Sequence, residues 1–527
     1  MRRPLPFHPV LVAAFPALFV CSQNVEQFRA GVLLTYVPAL VGLCAVAWAV
    51  AGLATRDARK GALIASLFFL LAFSFTAARR VVPQFTWELG GWTVGPRKLL
   101  FAVWTLAFVG GTWFAARTRR DLGDLTRAIN VATLALVILP TLSIAWYEAR
   151  HRGGAPATAE SADDEGGAPL AVESPPDIYW IIMDAYGRED VLRDLYGLDV
   201  GDFTGWLREK GFIVGDRSTS NYPSTYLAVP SPLQMDYIET FVSPEELKSG
   251  TDLSLMTDVV NDCRVVRFLR RRRYRIVAFT TSVATTEMKS ADEYLTPGWF
   301  CEEFPNALVD MTPLRTLFRS RDEAEGRRRH VRFILDALEG MASRPGPKFV
   351  FAHVPAPHGP FVFGRNGEPV SPPTVNLPGH EVPMGDEEIA EYRRFYADEV
   401  VFLNAKLRVV LGAILAKSAR PPVIILQGDH GPLSMWGDPA RFGEAAVRER
   451  YPILNAYYLR GERDNALHPG ITPVNSFRVA FNHVFGARFP MLSDRNFCPT
   501  DAPYRMAEVT AALRNGGPDN STKGDAP

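Results

Sequence analysis

Five apolar stretches crowd the first 150 residues of this 527-residue chain, at about 9–22, 31–53, 61–77, 99–116 and 129–147. A helix needs ~20 apolar residues to cross a bilayer, and the last four runs meet that need. They predict a transmembrane helical domain over 1–149 with about five spans. The first run is short and holds Pro9 and Pro16, so it reads as a fifth span or as the apolar region of a cleaved signal peptide. Basic residues in short loops set orientation. Arg2, Arg3, Arg56, Arg59, Lys60, Arg117, Arg119, Arg120 and Arg127 fall in loops that would face the cytoplasm. Arg29, Arg79, Arg80, Arg97 and Lys98 lie in the intervening loops, so the asymmetry is uneven. With or without cleavage of the first run, everything after residue 148 is expected outside the cytoplasmic membrane of a bacterium.

The remainder divides by composition. Residues 150–176 are rich in Gly, Ala, Pro and acid and read as a flexible linker. Residues 516–527 read as a disordered tail, with the sequon at Asn520 a chance match. Between them, 177–515 forms one domain. Strand-like runs fall at 177–183, 275–281, 348–354, 422–427 and 452–458, and helical patterns at 262–272, 322–342 and 385–417. Alternation of strand and helix predicts an α/β fold, a mostly parallel sheet covered by helices on both faces. Lys plus Arg and Asp plus Glu both number 57, which gives no reason to expect nucleic acid as a partner. Five cysteines are too few for a disulfide framework, although Cys263 and Cys301 could pair outside the cell.

Three of the strand-like runs end in polar groups. One runs into Asp184, in Ile181-Ile182-Met183-Asp184-Ala185-Tyr186-Gly187-Arg188. The second carries His353-Val354-Pro355-Ala356-Pro357-His358-Gly359-Pro360, and the third Gly428-Asp429-His430-Gly431. Open α/β sheets bind ligands at the carboxyl ends of their strands. Carboxylates and imidazoles gathered there suit a divalent metal such as zinc or manganese. Asp429 and His430 are adjacent and must project from a turn, which the flanking glycines permit. The prolines stiffen the segment between His353 and His358. His380, His468 and His483 stand alone and are read as loop or core residues.

With these three strings in this order, the chain resembles the alkaline phosphatase superfamily. Within it, the chain looks like the membrane-anchored sulfatase-like group, which includes lipoteichoic acid synthases and lipid A phosphoethanolamine transferases. The resemblance implies an alkaline phosphatase-like fold over roughly 175–500 and an outward-facing catalytic domain behind five spans. It implies metal binding by Asp184, Asp429 and His430, with His353 and His358 holding substrate phosphate or a second metal. The transferases carry a further His within about a dozen residues of Asp-His-Gly. This chain has none, so one tight metal site is expected, with any second metal weak or brought by substrate.

The nucleophile is sought in Ser218-Thr219-Ser220-Asn221-Tyr222-Pro223-Ser224-Thr225-Tyr226-Leu227-Ala228-Val229-Pro230. In the transferases the nucleophilic Thr precedes a Pro by five positions, as Thr225 precedes Pro230. In the sulfatase register Asn221 takes the place of the formylglycine precursor, and Asn cannot be converted. Thr225 is therefore the leading candidate, at an expected helix N-terminus. Ser220, Asn221 and Arg188 are secondary candidates. The leading expectation is a membrane-bound phosphotransferase or phosphodiesterase acting on lipid- or glycan-linked phosphate esters. The alternatives are a sulfuric or phosphoric ester hydrolase that uses water, and a non-catalytic glycan-binding member that assists polysaccharide assembly.

Overall fold

The computed structural model of the chain describes residues 4–25, 28, 30–82, 87–89, 92–151, 174–281, 283–297, 303–314, 321–370, 385–435, 444–459 and 466–514. Most of the expected linker, the tail with Asn520, Cys301, His380 and the stretch 436–443 lie outside these residues. The chain forms two compact units. One is Met1–Gly154 with Glu302–Asp322; the other is Ala155–Cys301 with Glu323–Pro527.

The first unit contains α1 (His8–Gln23), α2 (Leu33–Thr55), α3 (Ala58–Val81), α4 (Pro96–Arg117) and α5 (Gly123–His151). Four stretches are long and apolar enough to cross a membrane: Ala30–Thr55, Ala58–Arg79, Lys98–Arg117 and Gly123–Ala149. The apolar helix His8–Gln23 is shorter. In lipid, polar groups must find partners inside the protein, and α1 begins with such a seam. The His8 N–H donates to Asn130 Oδ1 at 2.9 Å, His8 Nδ1 lies 2.7 Å from Ser66 Oγ, and Asn130 Nδ2 donates to Leu5 O at 2.9 Å. A Cβ on Gly61 would stand 2.5 Å from Gly52 N, so only glycine lets α2 and α3 approach this closely.

The same unit includes a stretch that sequence placed inside the catalytic domain. In the helix Glu303–Asp310, the Phe304 ring packs against Phe28 at 5.1 Å and Tyr36 at 5.0 Å. Phe304 and Leu308 are buried, and Met311 O accepts the Thr76 N–H at 3.2 Å.

The second unit is built on a seven-stranded sheet. Its strands are β1 (Ile178–Met183), β2 (Ile213–Val214), β3 (Arg275–Phe279), β4 (Glu293–Leu295), β5 (Lys348–Val354), β6 (Val423–Gly428) and β7 (Asn455–Tyr458). The order is β2-β7-β6-β1-β5-β3-β4. The β1, β5, β6, β3 and β4 pairings are parallel, whereas β7 pairs antiparallel with both β6 and β2. β1 is central and buried on both faces, as its unbroken apolar run requires. Tyr179, Ile181 and Met183 join one apolar cluster; Ile178, Trp180 and Ile182 join another. Among the helices, α6 (Thr225–Ala228), α7 (Arg264–Arg271), α8 (Arg321–Met341), α9 (Asp386–Lys417) and α10 (Ser476–Phe485) matter here. Residues of α8 and α9 fill the first cluster and residues of α7 and α10 the second, so helices cover both faces. The sheet is thus mostly parallel, as expected. In the basic run at the end of α7, Arg270, Arg271 and Arg273 are exposed, whereas Arg272 is buried with its guanidinium 3.6 Å over the Phe268 ring.

Candidate active site

The registers of β5 and β6 against β1 bring the three polar strings to one sheet edge. Ile182 pairs with His353 on one side, and Met183 pairs with Gly428 on the other. Asp184 follows β1 immediately, and its N–H donates to Val354 O at 3.0 Å. Ala185 then turns the chain with φ +64, a left-handed conformation that costs an alanine about 1 kcal/mol. That turn aims the Ala185 N–H at Asp429 Oδ1, 3.0 Å away, and Tyr396 fixes it by donating to Ala185 O at 2.8 Å.

The Gly-Asp-His-Gly turn needs its glycines for close approach; neither has a left-handed φ. A Cβ on Gly428 would lie 2.4 Å from Tyr186 O, and one on Gly431 would lie 2.3 Å from Glu449 O. The turn is held from several sides. His430 N–H donates to Asp429 Oδ1 at 2.9 Å, and Arg450 Nη1 donates to Gly431 O at 2.6 Å. Arg450 Nε donates to Pro223 O at 2.6 Å, which ties this turn to the segment before Thr225.

Asp184, His353 and Asp429 each offer a ligand atom, and these atoms lie within 4.8 Å of one another. All three side chains are buried. His353 Nε2 is 3.7 Å from Asp184 Oδ2, while His430 Nε2 is 3.6 Å from Asp184 Oδ1 and 3.3 Å from Asp429 Oδ2. Asp184 Oδ1 and His353 Nε2 are sealed from solvent yet make no hydrogen bond. Buried polar atoms are almost always satisfied, so two orphans facing each other's groups fit a cation between them. Each imidazole presents the right atom. His430 Nδ1 is 3.0 Å from Gly431 O and His358 Nδ1 is 2.7 Å from Gly359 O. A protonated Nδ1 can donate to those carbonyls, which leaves Nε2 as the lone-pair donor a metal needs. His353 Nδ1 faces Thr286 Oγ1 at 3.5 Å.

Electrostatics agree with this reading. Burial and the charge of Asp429 push the Asp184 carboxyl well above the usual range. Burial would raise Asp429 too, but His430, His353 and the hydrogen bonds of Thr225 and Ala185 outweigh it and hold Asp429 low. Burial, then the Arg327 charge, lowers His358 to about 4, and burial with Arg450 lowers His430. The His358 and His430 imidazoles are therefore neutral at physiological pH, as ligands must be.

Thr225 stands at this cluster. Its hydroxyl donates to Asp429 Oδ2 at 2.7 Å and lies 3.1 Å from His430 Nε2. The helix it opens is a single turn, Thr225–Ala228, too short for the dipole effect expected from sequence. Asp429 and His430 position the hydroxyl instead.

The secondary candidates have other partners. Ser220 Oγ reaches Tyr222 O at 2.6 Å and Asp429 O at 2.5 Å, supporting the turn behind the cluster. Asn221 Nδ2 donates to Thr472 Oγ1 and Arg495 O, each at 2.9 Å, and Asn221 Oδ1 accepts the Val474 N–H at 2.9 Å. Thr472 and Val474 thereby anchor the segment that leads to Thr225. Arg188 pairs with Asp190 through two 2.7 Å contacts and donates to Ser218 O at 3.0 Å. Sequence reasoning missed Arg450 and Arg327, which carry no motif.

No family model matches the chain, and no curated protein matches it significantly. Solved structures do resemble it. The zinc-bound C-terminal periplasmic domain of EcEptC from Escherichia coli is 10% identical, with TM-score 0.44, covering 65% of this chain and 94% of that one. The integral membrane lipooligosaccharide phosphoethanolamine transferase A from Neisseria meningitidis is 11% identical, with TM-score 0.37, covering 90% and 94%. A putative sulfatase from Bacteroides thetaiotaomicron is 12% identical, with TM-score 0.38, covering 60% and 72%. At such scores the chemistry rests on this chain's own residues. Phosphoethanolamine transferases and sulfatases are the two kinds of protein that its motifs resemble.

Proposed function

We propose that the chain is a membrane-bound, metal-dependent phosphotransferase or phosphodiesterase that acts on a lipid- or glycan-linked phosphate ester. Its second unit would face the periplasm, because basic residues concentrate in the loops assigned to the cytoplasmic side. One observation carries the reading: a threonine hydroxyl hydrogen-bonds the carboxylate of a buried Asp–His–Asp cluster that has unpartnered ligand atoms. Asp184, Asp429 and His430 would hold zinc or manganese, with His353 as a further ligand or a substrate contact. The ion would supply Lewis-acid stabilisation and a lowered hydroxyl pKa. As Thr225 Oγ1 attacks phosphorus, its proton passes to Asp429 Oδ2, the new P–O bond forms, and the bond to the leaving oxygen breaks, that oxygen departing as an alcohol once protonated. An acceptor hydroxyl or water then gives up its proton, attacks the phosphothreonine and frees Thr225. His358, whose ring centroid lies 6.1 Å from that of His430, would face the phosphoryl oxygens. A membrane anchor suits a donor or acceptor that is itself a lipid.

The test uses the full chain in detergent. About one zinc or manganese per chain is expected by elemental analysis, lost in Asp429→Ala. With a lipid phosphodiester pool, mass spectrometry should find phosphate-bearing adducts on Thr225 and none on Thr225→Ala. A metal-free parent chain would overturn the reading. Turnover that survives Thr225→Ala would favour the water-using hydrolase.

A further inference from the structure

An arginine lies beside the cluster and no motif marks it. Arg327 is on α8, and its Nη2 donates to both Pro355 O and His358 O. Those carbonyls bracket the Pro-Ala-Pro segment that leads into His358. One guanidinium therefore spans the loop that sets where this imidazole stands. The Arg327 Nε is sealed from solvent and makes no hydrogen bond among the described residues. On α9, Glu399 is 0% exposed, and neither of its oxygens makes a hydrogen bond of acceptable geometry there. Its neighbours along α9, Tyr396, Val400 and Leu403, belong to the apolar cluster under the sheet. Burial pushes the Glu399 carboxyl up to about 8, so it is largely protonated near neutral pH and supplies no fixed charge. Arg327 is thus held by the two loop carbonyls rather than by a buried carboxylate.

We infer that Arg327 is a positioning residue that fixes His358 for phosphoryl binding, through its contacts with Pro355 O and His358 O. This rests on the phosphotransferase reading above. The physical need is specific. A loop with two prolines is stiff but has no sheet partner beyond Val354, so its far end requires an external tie. Both carbonyls are taken by the single Nη2, and a lysine ammonium, whose stem ends one bond sooner, keeps the charge but falls short of that point. Asp184 also feels the Arg327 charge, but through space and without a hydrogen bond. The inference therefore assigns Arg327 to phosphate affinity more than to metal affinity.

The experiment uses full-length protein loaded with zinc and titrated with inorganic phosphate by calorimetry. Zinc affinity and thermal unfolding are measured beside it. Arg327→Lys is expected to keep zinc affinity near that of the parent and to weaken phosphate about tenfold. His358→Ala should weaken phosphate comparably, and the double variant should be no worse than His358→Ala alone, since one residue acts through the other. Parental phosphate affinity in Arg327→Lys would overturn the inference. So would losses that multiply in the double variant.

Arg327→Met provides a second route should the lysine form fail to fold. Loss of a positive charge alone would by Coulomb's law weaken anion binding whether or not His358 is present. Loss of the tie to the loop should weaken it only while His358 is present. A loss of equal size in the His358→Ala background would overturn the positioning role. A parent chain that takes up no zinc would overturn the phosphotransferase reading, and this inference with it. A parent that binds zinc and phosphate, with variants that behave like it, would overturn this inference alone.

Discussion

The two units bury opposite kinds of surface. In the first, large apolar side chains face outward: Leu34 is 81% exposed, Leu53 80%, Leu139 72% and Trp146 66%. In the second, Val409 is the large apolar side chain most open to solvent among the described residues, at 54%. The second unit hides its apolar atoms in clusters on either face of the sheet. The difference identifies the solvent that each unit is built for. Apolar surface turned outward is costly in water and neutral in lipid. The first unit instead spends its few polar groups inside, as the His8–Ser66–Asn130 seam does. The second unit keeps a polar cluster inside as well, around Asp184, His353 and Asp429.

The contrast can be broken most sharply with a charge on each outer surface. Leu139→Asp should cost about 3 kcal/mol in insertion, read as the membrane-integrated fraction, while Val409→Asp should stay within about 0.5 kcal/mol by thermal unfolding. Equal effects would mean that α5 does not face lipid. The next test concerns a device that both units share. Gly61→Ala and Gly428→Ala each place a methyl group about 2.5 Å from backbone atoms, and each should destabilise by roughly 1–3 kcal/mol. Only Gly428→Ala should also lose zinc, because it displaces Asp429.

A third test belongs to the second unit alone. Burial and Asp429 raise the Asp184 carboxyl toward about 7. Below that pH a proton competes with the metal, and above it the carboxylate is free. Zinc affinity should therefore fall roughly tenfold per unit as pH drops below about 7, and level off above. A flat profile would mean that Asp184 is not a ligand. The smallest expected effect returns to the first unit. Asn130→Leu should cost only about 0.6 kcal/mol, typical of a polar contact between membrane helices, as read from unfolding in detergent.

Much of this was legible because long apolar runs leave few choices. β1, β5 and β6 fall within a residue of their expected limits. β2 and β4 span two and three residues, too few to carry a period. The antiparallel direction of β7 could not be read because an apolar run has no polarity along the sheet. In the site, Asp184, His353, Asp429 and His430 were legible as strand ends with polar groups, and Thr225 through its spacing from Pro230 in the resemblance to the transferases; the structure gathers all five. Arg327 and Arg450 were not, because their partners are carbonyl oxygens, which any residue supplies. The glycines of the Asp-His-Gly turn were expected to supply turning freedom. What they supply is room for the carbonyls of Tyr186 and Glu449, a requirement visible only in three dimensions.

The stretch Glu302–Asp322 has one more consequence, for release from the cell surface. Most multi-span enzymes with a single tether would shed their outer half after one proteolytic cut in it. Here a cut within 152–173 would leave a C-terminal fragment that still contains Phe304, Leu308 and Met311, which pack with residues of the first unit. The second unit would stay with the first after that link was gone. Its two stretches, Ala155–Cys301 and Glu323–Pro527, are each joined to Glu302–Asp322, so freeing it takes cuts on both sides of that stretch, or detergent.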